Sequence, residues 1–131
     1  MARTPLDEAA DLTVAEVIHE RFSALPADAT VAEVRDWFAT SSSRKMAFLA
    51  DNGRYVGSIT RDDLEGDLDT TASAARLAHP GPTIAPDASA EAGFKLAVAT
   101  DALRVPVVDG DGRLTGVVAV TDDLAAFCGT H

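Results

Sequence analysis

The chain has 131 residues, 47% hydrophobic and 24% charged, a balance typical of a folded protein rather than a disordered one. Its 21 acidic and 11 basic residues give a formal net charge of −10, which argues against nucleic-acid or anionic-membrane binding. The single cysteine, Cys128, has no partner for an internal disulfide, and the acidic N-terminal segment lacks a signal-peptide or anchor pattern. We therefore expect a cytoplasmic protein.

Two capping-box patterns open the first half of the chain. In each, a threonine precedes a glutamate by three residues: Thr13 opens a helix to about residue 20, and Thr30 opens a longer one to about residue 40. Apolar residues recur at helical spacing along the second helix. The other predicted elements, in chain order, are a short apolar run at 22–25, strands at 46–50 and 55–60 around an Asp-Asn-Gly turn, and a helix from Arg61.

The second half repeats this order. An ungapped offset of 59 residues places Gly57 over Gly116, Thr30 over Ser89 and Asp63 over Asp122. The predicted elements are a helix at 71–78, a short strand at 83–85, a helix at 89–99, strands at 105–108 and 114–120, and a last helix at 122–128. The sequence thus predicts an N-terminal tail (1–11) and two pseudo-symmetric repeats (12–69 and 70–131) in one α/β module. Each repeat has the order helix–strand–helix–strand–strand–helix.

The most informative local motif is the junction at residues 57–63, which leaves a strand and enters a helix. Backbone N–H groups at such a junction are free and attract an anion. Thr60 can donate a hydroxyl to a phosphate, Asp63 can accept from the two hydroxyls of a ribose, and Arg61 can supply a countercharge. The alternative is that Thr60 and Asp63, three residues apart, form only a capping box. The two interpretations are compatible.

The matching junction at residues 116–122 keeps the acid as Asp122 but has lost the hydroxyl. Ala119 stands where the first junction has Thr60, and Thr121 is displaced by two residues, where it is expected to cap the last helix. A phosphate bound at this second junction would therefore lose one ligand.

No metal or catalytic pattern is present. The Asp-Gly-Asp-Gly run at 109–112 is similar to a calcium loop, but Val120 stands where that loop needs its glutamate, so a hairpin turn is predicted. His19, His79 and His131 make no short-range metal pair and are interpreted as structural. No Ser/His/Asp or Cys/His constellation stands out.

Both junctions resemble the Gly-apolar-apolar-Thr/Ser-x-x-Asp signature of CBS domains. The run Arg-Val-Pro-Val-Val at 104–108 is similar to the Arg-x-Pro-Val-Val run of that family. The resemblance covers roughly residues 12–128 in two copies, as in a stand-alone tandem CBS pair, or Bateman module. It implies clefts between the repeats that bind AMP, ADP, ATP or S-adenosylmethionine, with no required cofactor. It also implies a homodimer.

The resemblance further implies two sets of nucleotide-binding residues. In the first, Thr60 contacts phosphate and Asp63 contacts ribose, with Arg61 as a phosphate partner and Ser23, Met46 and Ala47 near the base. The second set comprises Asp122, Thr83, Ile84, Val105 and Pro106. Each set lacks one family feature, because Met46-Ala47-Phe48 replaces apolar-Pro-apolar and Ala119 replaces threonine. We expect one working site, the one with Thr60 and Asp63.

Three functions follow from these observations. The leading one is a non-enzymatic regulatory module that senses an adenosine derivative by favouring one arrangement of the repeats. The alternative is an interaction or scaffold module with degenerate nucleotide sites and an unknown protein partner. A hydrolase or transferase is the least supported, for want of a catalytic constellation.

Overall fold

Short strands alternate with helices and single 3₁₀ turns in the computed structural model, which describes residues 2–19, 22–42 and 44–130. The mixed α/β class predicted from the sequence is confirmed. In chain order, the strands and α-helices of the described residues are β1 (Ala2–Pro5), β2 (Ala24–Pro26), α1 (Val31–Ala39), β3 (Met46–Asp51), β4 (Arg54–Thr60), α2 (Ala90–Val98), β5 (Arg104–Val108), β6 (Leu114–Ala119) and β7 (Ala126–Thr130).

The chain forms two compact units, each with its own hydrophobic core. The central unit is Ser23–Gly81, and the terminal unit joins Met1–Phe22 to Pro82–His131. The leading 3₁₀ turn of the first half, Val14–Glu16, belongs to the terminal unit, and the matching turn of the second half, Ala74–Leu77, belongs to the central unit. Each unit is thus assembled from both halves of the sequence, and the repeat boundaries at 12–69 and 70–131 stay a prediction.

The central unit packs α1 against a three-stranded sheet of order β2-β3-β4. β2 runs parallel to β3, and β4 returns antiparallel through a turn with Asn52 and Gly53 at φ 52° and 87°. α1 begins with the predicted capping box, in which Thr30 and Glu33 each accept a backbone N–H from the other. The buried residues of this core are Ala29, Val31, Val34, Phe38, Ala47, Leu49, Ile59, Leu64 and Ala74.

The terminal unit packs α2 against the β5–β6 hairpin, with β1 and β7 paired antiparallel beside them. Its 3₁₀ turn at Val14–Glu16 lies at the start of α2, where Val14 N–H donates to the Ala88 carbonyl (2.8 Å) and Ala90 N–H to that of Leu12 (2.9 Å). The core comprises Ala9, Val14, Val17, Ala90, Ala97, Val105, Val107, Val118, Val120 and Phe127.

The predicted last helix at 122–128 is wrong, because the chain turns back and forms β7. Thr121 closes this turn: its N–H donates to the Ala126 carbonyl (2.9 Å), and its hydroxyl accepts the Ala126 N–H (3.2 Å). Leu124 has φ 60°, which a helix cannot accommodate. Phe127 is completely buried, and β7 pairs antiparallel with β1. Thr121 therefore caps no helix.

Three other predicted helices are shorter than expected. The segments predicted at 13–20, from 61 and at 71–78 each form a single 3₁₀ turn: Val14–Glu16, Asp62–Leu64 and Ala74–Leu77. Residue 20, the expected end of the first, lies outside the described residues. Segments this short gain too few hydrogen bonds to repay helix nucleation. The predicted strand at 83–85 is one parallel bridge, Ile84 to Val107, bounded by prolines.

No described helix has the length and apolarity that a bilayer-spanning segment requires.

Candidate functional site

Three polar side chains meet where β4 ends in the central unit. The Asp63 carboxylate accepts from the Thr60 backbone N–H (2.9 Å) and the Thr60 hydroxyl (3.1 Å) through Oδ2. Its other oxygen, Oδ1, lies 3.0 Å from His79 Nε2. The Thr60–Asp63 pairing is the local interaction that the capping-box interpretation predicts, and it places the carboxylate beside the free end of the strand.

His79 reaches this site because its segment lies against the outer edge of β4. Its backbone pairs with Ser58 through two hydrogen bonds of 2.9 Å, one in each direction. Gly57 makes this contact feasible, since a methyl group there would come within 2.8 Å of Ala78 Cβ and 3.2 Å of the His79 carbonyl oxygen. The Tyr55 hydroxyl forms a hydrogen bond with the Ser58 hydroxyl (2.7 Å). Burial raises the pKa of Tyr55, and this effect outweighs the hydrogen bond, which lowers it. The histidine is therefore fixed to the strand that carries Thr60.

The pKa of Asp63 lies below its usual value. Burial by itself raises this pKa, but the effect is outweighed by the Thr60 N–H, the His79 hydrogen bond, the Thr60 hydroxyl and the charge of His79. The carboxylate is consequently ionised at neutral pH and presents a negative acceptor to any ligand hydroxyl.

This depressed pKa predicts how stability changes with pH. A carboxylate whose pKa is lowered on folding stabilises the fold above its unfolded pKa, and the stabilisation is lost as the pH falls through the folded pKa. We expect the difference in unfolding free energy between the wild type and Asp63→Asn to shrink as the pH is lowered past the usual value of 3.8. Urea unfolding at a series of pH values measures this difference. A difference that stays constant across the series would contradict the assignment.

Arg61 points its guanidinium at the C-terminal end of α1. It donates to the carbonyls of Arg44 (2.9 Å), Phe38 (3.0 Å) and Ser41 (2.8 Å), and it lies 4.9 Å from the centre of the Phe38 ring. These bonds tie the start of the turn after β4 to the last turn of α1 and to the loop that follows it. The structure thus gives Arg61 a role in the fold, and its action as a phosphate partner stays a prediction.

The residues expected near the base are placed unevenly around Thr60. Met46 is the β3 residue directly opposite Thr60, and the next residue, the fully buried Ala47, is opposite Ile59. Ser23 is exposed and precedes β2, which β3 separates from β4. The sheet therefore brings Met46 beside Thr60 and leaves Ser23 on the far side.

The second predicted set lies in the terminal unit. Ile84 donates its N–H to the Pro106 carbonyl (3.1 Å) and accepts from the Val108 N–H (2.9 Å), so Ile84 and Pro106 are neighbours. Val105 and Pro106 are buried in β5, whereas Thr83 is exposed. Asp122 is exposed in the turn after β6.

In the terminal unit, β7 lies against the histidine that corresponds to His79. His19 is the counterpart of His79: its N–H donates to the Val117 carbonyl (2.8 Å), and Val117 stands 59 residues after Ser58. The His19 ring lies directly against Gly129 of β7, so that a methyl group on this glycine would overlap the ring. Together with the loss of the hydroxyl at Ala119, this contact makes the two junctions unequal.

Sequence reasoning missed His79 as a site residue. The histidines make no short-range metal pair in the sequence, and the described residues contain no group of three or more metal-binding side chains. The available signal was that His19 and His79, 60 residues apart, lie within one residue of matching points in the two repeats. The predicted hairpin at 109–112 is confirmed, because Asp109 accepts from the N–H groups of Asp111 (2.9 Å) and Arg113 (3.0 Å) in the turn.

Comparisons with known proteins agree with this architecture. Residues 74–122 match the CBS domain family. The chain is 33% identical over 97 residues to inosine-5′-monophosphate dehydrogenase of Mycobacterium leprae; the alignment covers 72% of this chain and 18% of the dehydrogenase. The chain thus spans about a fifth of the length of the curated relatives it matches.

Solved structures of other proteins share the fold. A CBS domain pair/ACT domain protein from Thermotoga maritima has a TM-score of 0.72 at 23% identity, covering 82% of this chain and 89% of that one. CBSX2 from Arabidopsis thaliana in complex with AMP has a TM-score of 0.69 at 20% identity, covering 82% and 89%. The cytosolic domain of the Mg²⁺ channel MgtE in complex with ATP has a TM-score of 0.68 at 26% identity, covering 82% and 46%.

The fold therefore defines a mixed α/β module with the architecture of tandem CBS domains. The family match identifies a CBS domain at residues 74–122, and the solved structures agree that the chain has the fold of a CBS domain pair.

Proposed function

We propose that this CBS-pair protein is a regulatory module that binds an adenosine-containing ligand at the end of β4. In this proposal the Asp63 carboxylate accepts hydrogen bonds from ribose hydroxyls, and Thr60 donates its hydroxyl to a phosphate. The observation that carries the proposal is an ionised carboxylate and a hydroxyl held together at the end of a strand, with the pKa of Asp63 depressed.

The hydrogen bonds around Asp63 leave room for a ligand. A carboxylate can accept about four hydrogen bonds. Three donors are present: the Thr60 N–H and hydroxyl on Oδ2, and His79 on Oδ1. One hydroxyl of a ribose can use the remaining position. A second can replace the Thr60 hydroxyl when that group turns to the phosphate, so the two hydroxyls of a ribose match the two positions.

The relatives support the ligand class. One structure with this fold contains AMP and another contains ATP. For this chain the class proposed is AMP, ADP, ATP or S-adenosylmethionine, with the base near Met46 and Ala47. We expect the second set around Asp122 to contribute little, because Ala119 supplies no hydroxyl and β7 lies against His19.

The proposed action is regulatory and needs no catalytic step. A ligand shifts a conformational equilibrium only by its difference in affinity for the two states. The second chain of a homodimer, or another protein in the cytoplasm, would then recognise one of the two conformational states.

A scaffold function without ligand is the second candidate. It is favoured by the same contacts at Asp63, because Thr60 and His79 already supply partners from within the chain. In that case the contacts among Thr60, Asp63 and His79 would only stabilise the central unit.

A ligand panel distinguishes these two functions. We expect one of AMP, ADP, ATP or S-adenosylmethionine, at 100 times its dissociation constant, to stabilise the protein by about 2.7 kcal/mol. Thermal unfolding monitored by fluorescence or calorimetry measures this shift. If all four leave the melting temperature unchanged at millimolar concentration, the sensor function is contradicted and the scaffold function is supported.

A further inference from the structure

The imidazole of His79 is the feature of the site that the family resemblance did not supply. Its Nε2 lies 3.0 Å from Asp63 Oδ1, and its side chain is 63% exposed beside an Asp63 side chain that is 22% exposed. We propose that His79 is a positioning residue that orients Asp63 so that the site selects ligands with an intact ribose 2′,3′-diol. This inference rests on the proposed function.

The backbone of His79 is held rigidly enough to position another side chain. Two hydrogen bonds of 2.9 Å join it to Ser58, and the Tyr55 hydroxyl lies 3.4 Å from its carbonyl oxygen. The close approach at Gly57 brings the chain against β4 with no side chain between them. A group attached to such a segment keeps its place relative to the strand on which Thr60 lies.

Asp63 is held from two sides by different elements. Thr60, at the end of β4, donates twice to Oδ2, while His79, from the neighbouring segment, contacts Oδ1. Hydrogen bonds on both oxygens fix the plane of the carboxylate as well as its position. A vicinal diol presents two hydroxyls at a set spacing, so recognition of both requires this plane to be fixed before the ligand arrives. Without His79, Oδ1 would be held by no other contact described at the site.

The test compares ligands that differ by one hydroxyl. Calorimetric dissociation constants are measured for AMP, 2′-deoxy-AMP and 3′-deoxy-AMP with the wild type, His79→Ala and His79→Gln. Glutamine is the conservative variant, because its amide can donate from about the position of Nε2. Arg76→Ala, an exposed change on the same segment, is the matched control. Melting curves establish that each variant is folded.

We expect the wild type to prefer AMP to either deoxy ligand by about tenfold, the value of one hydrogen bond to a charged group. His79→Ala should reduce this preference to within about twofold, while His79→Gln and Arg76→Ala should retain it. A preference that is unchanged in His79→Ala, or that is lost equally in His79→Gln, would overturn the role of His79 while leaving the proposed function intact. If none of AMP, ADP, ATP and S-adenosylmethionine binds the wild type, both are overturned; if one of the other three binds and AMP does not, its own 2′- and 3′-deoxy analogues replace those of AMP in the test.

Discussion

Asp63→Asn is expected to weaken AMP binding by about tenfold to a hundredfold. The substitution removes the negative charge and replaces one acceptor oxygen with a donor, so at least one charge-assisted hydrogen bond to the ribose is lost. Such a bond contributes about 1.5 to 3 kcal/mol. Isothermal titration calorimetry on the purified wild type and variant measures the change. The shape of the side chain is conserved, so the effect is not attributable to an altered volume.

The matched control for this prediction is Asp122→Asn, the equivalent acid of the second junction. We expect it to change AMP affinity by no more than about twofold, because Asp122 is exposed, Ala119 stands where the first junction has Thr60, and β7 lies against His19. If Asp122→Asn weakens binding more than Asp63→Asn does, the choice of site is wrong.

Gly129→Ala is expected to destabilise the protein by about 2 to 5 kcal/mol. Gly129 has φ 71°, a conformation that costs an L-residue about 1 to 2 kcal/mol. The added methyl group would also overlap the His19 ring, and overpacking of this kind costs about 1 to 3 kcal/mol. Urea unfolding of the purified variant, followed by circular dichroism, measures the loss.

Gly110→Ala provides the control in the same unit. Gly110 is exposed and no atom lies within 4 Å of the position its methyl group would take, so we expect a change within about 1 kcal/mol. Equal stability of Gly129→Ala and Gly110→Ala would contradict the packing of β7 against His19.

The elements that the sequence predicted well are those specified by local chemistry. The Thr30–Glu33 capping box and the apolar face of Val31, Val34 and Phe38 define α1. The Asn52-Gly53 turn defines the β3–β4 hairpin through two positive φ values. Each of these signals lies within a few residues of the structure it produces, so periodicity and capping rules were sufficient to find it.

β7 could not be found in this way, because its partner lies at the other end of the chain. Thr4 pairs with Phe127 and Pro5 with Ala126, more than 120 residues apart. The segment begins with Thr121 and two aspartates, which are helix-start signals. Its pairing with β1 produces no recognisable pattern in the local sequence. Long-range pairing overrode local propensity here.

The candidate site was predicted in part for a related reason. Thr60 and Asp63 are adjacent in sequence and their junction is a local motif, whereas His79 reaches Asp63 from 16 residues away through a bridge on β4. Nothing within the junction itself indicates that a second element covers it. The sequence sign was the spacing of His19 and His79, which differs by one residue from the repeat offset of 59, and it becomes meaningful once the backbone pairings are known.

The most direct measurement is an NMR titration of the isotopically labelled protein with AMP. Backbone amide signals of Thr60, Arg61, Asp63 and His79 should shift progressively and saturably, while those of the turn at 119–123 move little. Shifts centred on the turn after β6 would contradict a nucleotide site at the end of β4, and so would the absence of any saturable shift with AMP, ADP, ATP and S-adenosylmethionine, each at millimolar concentration.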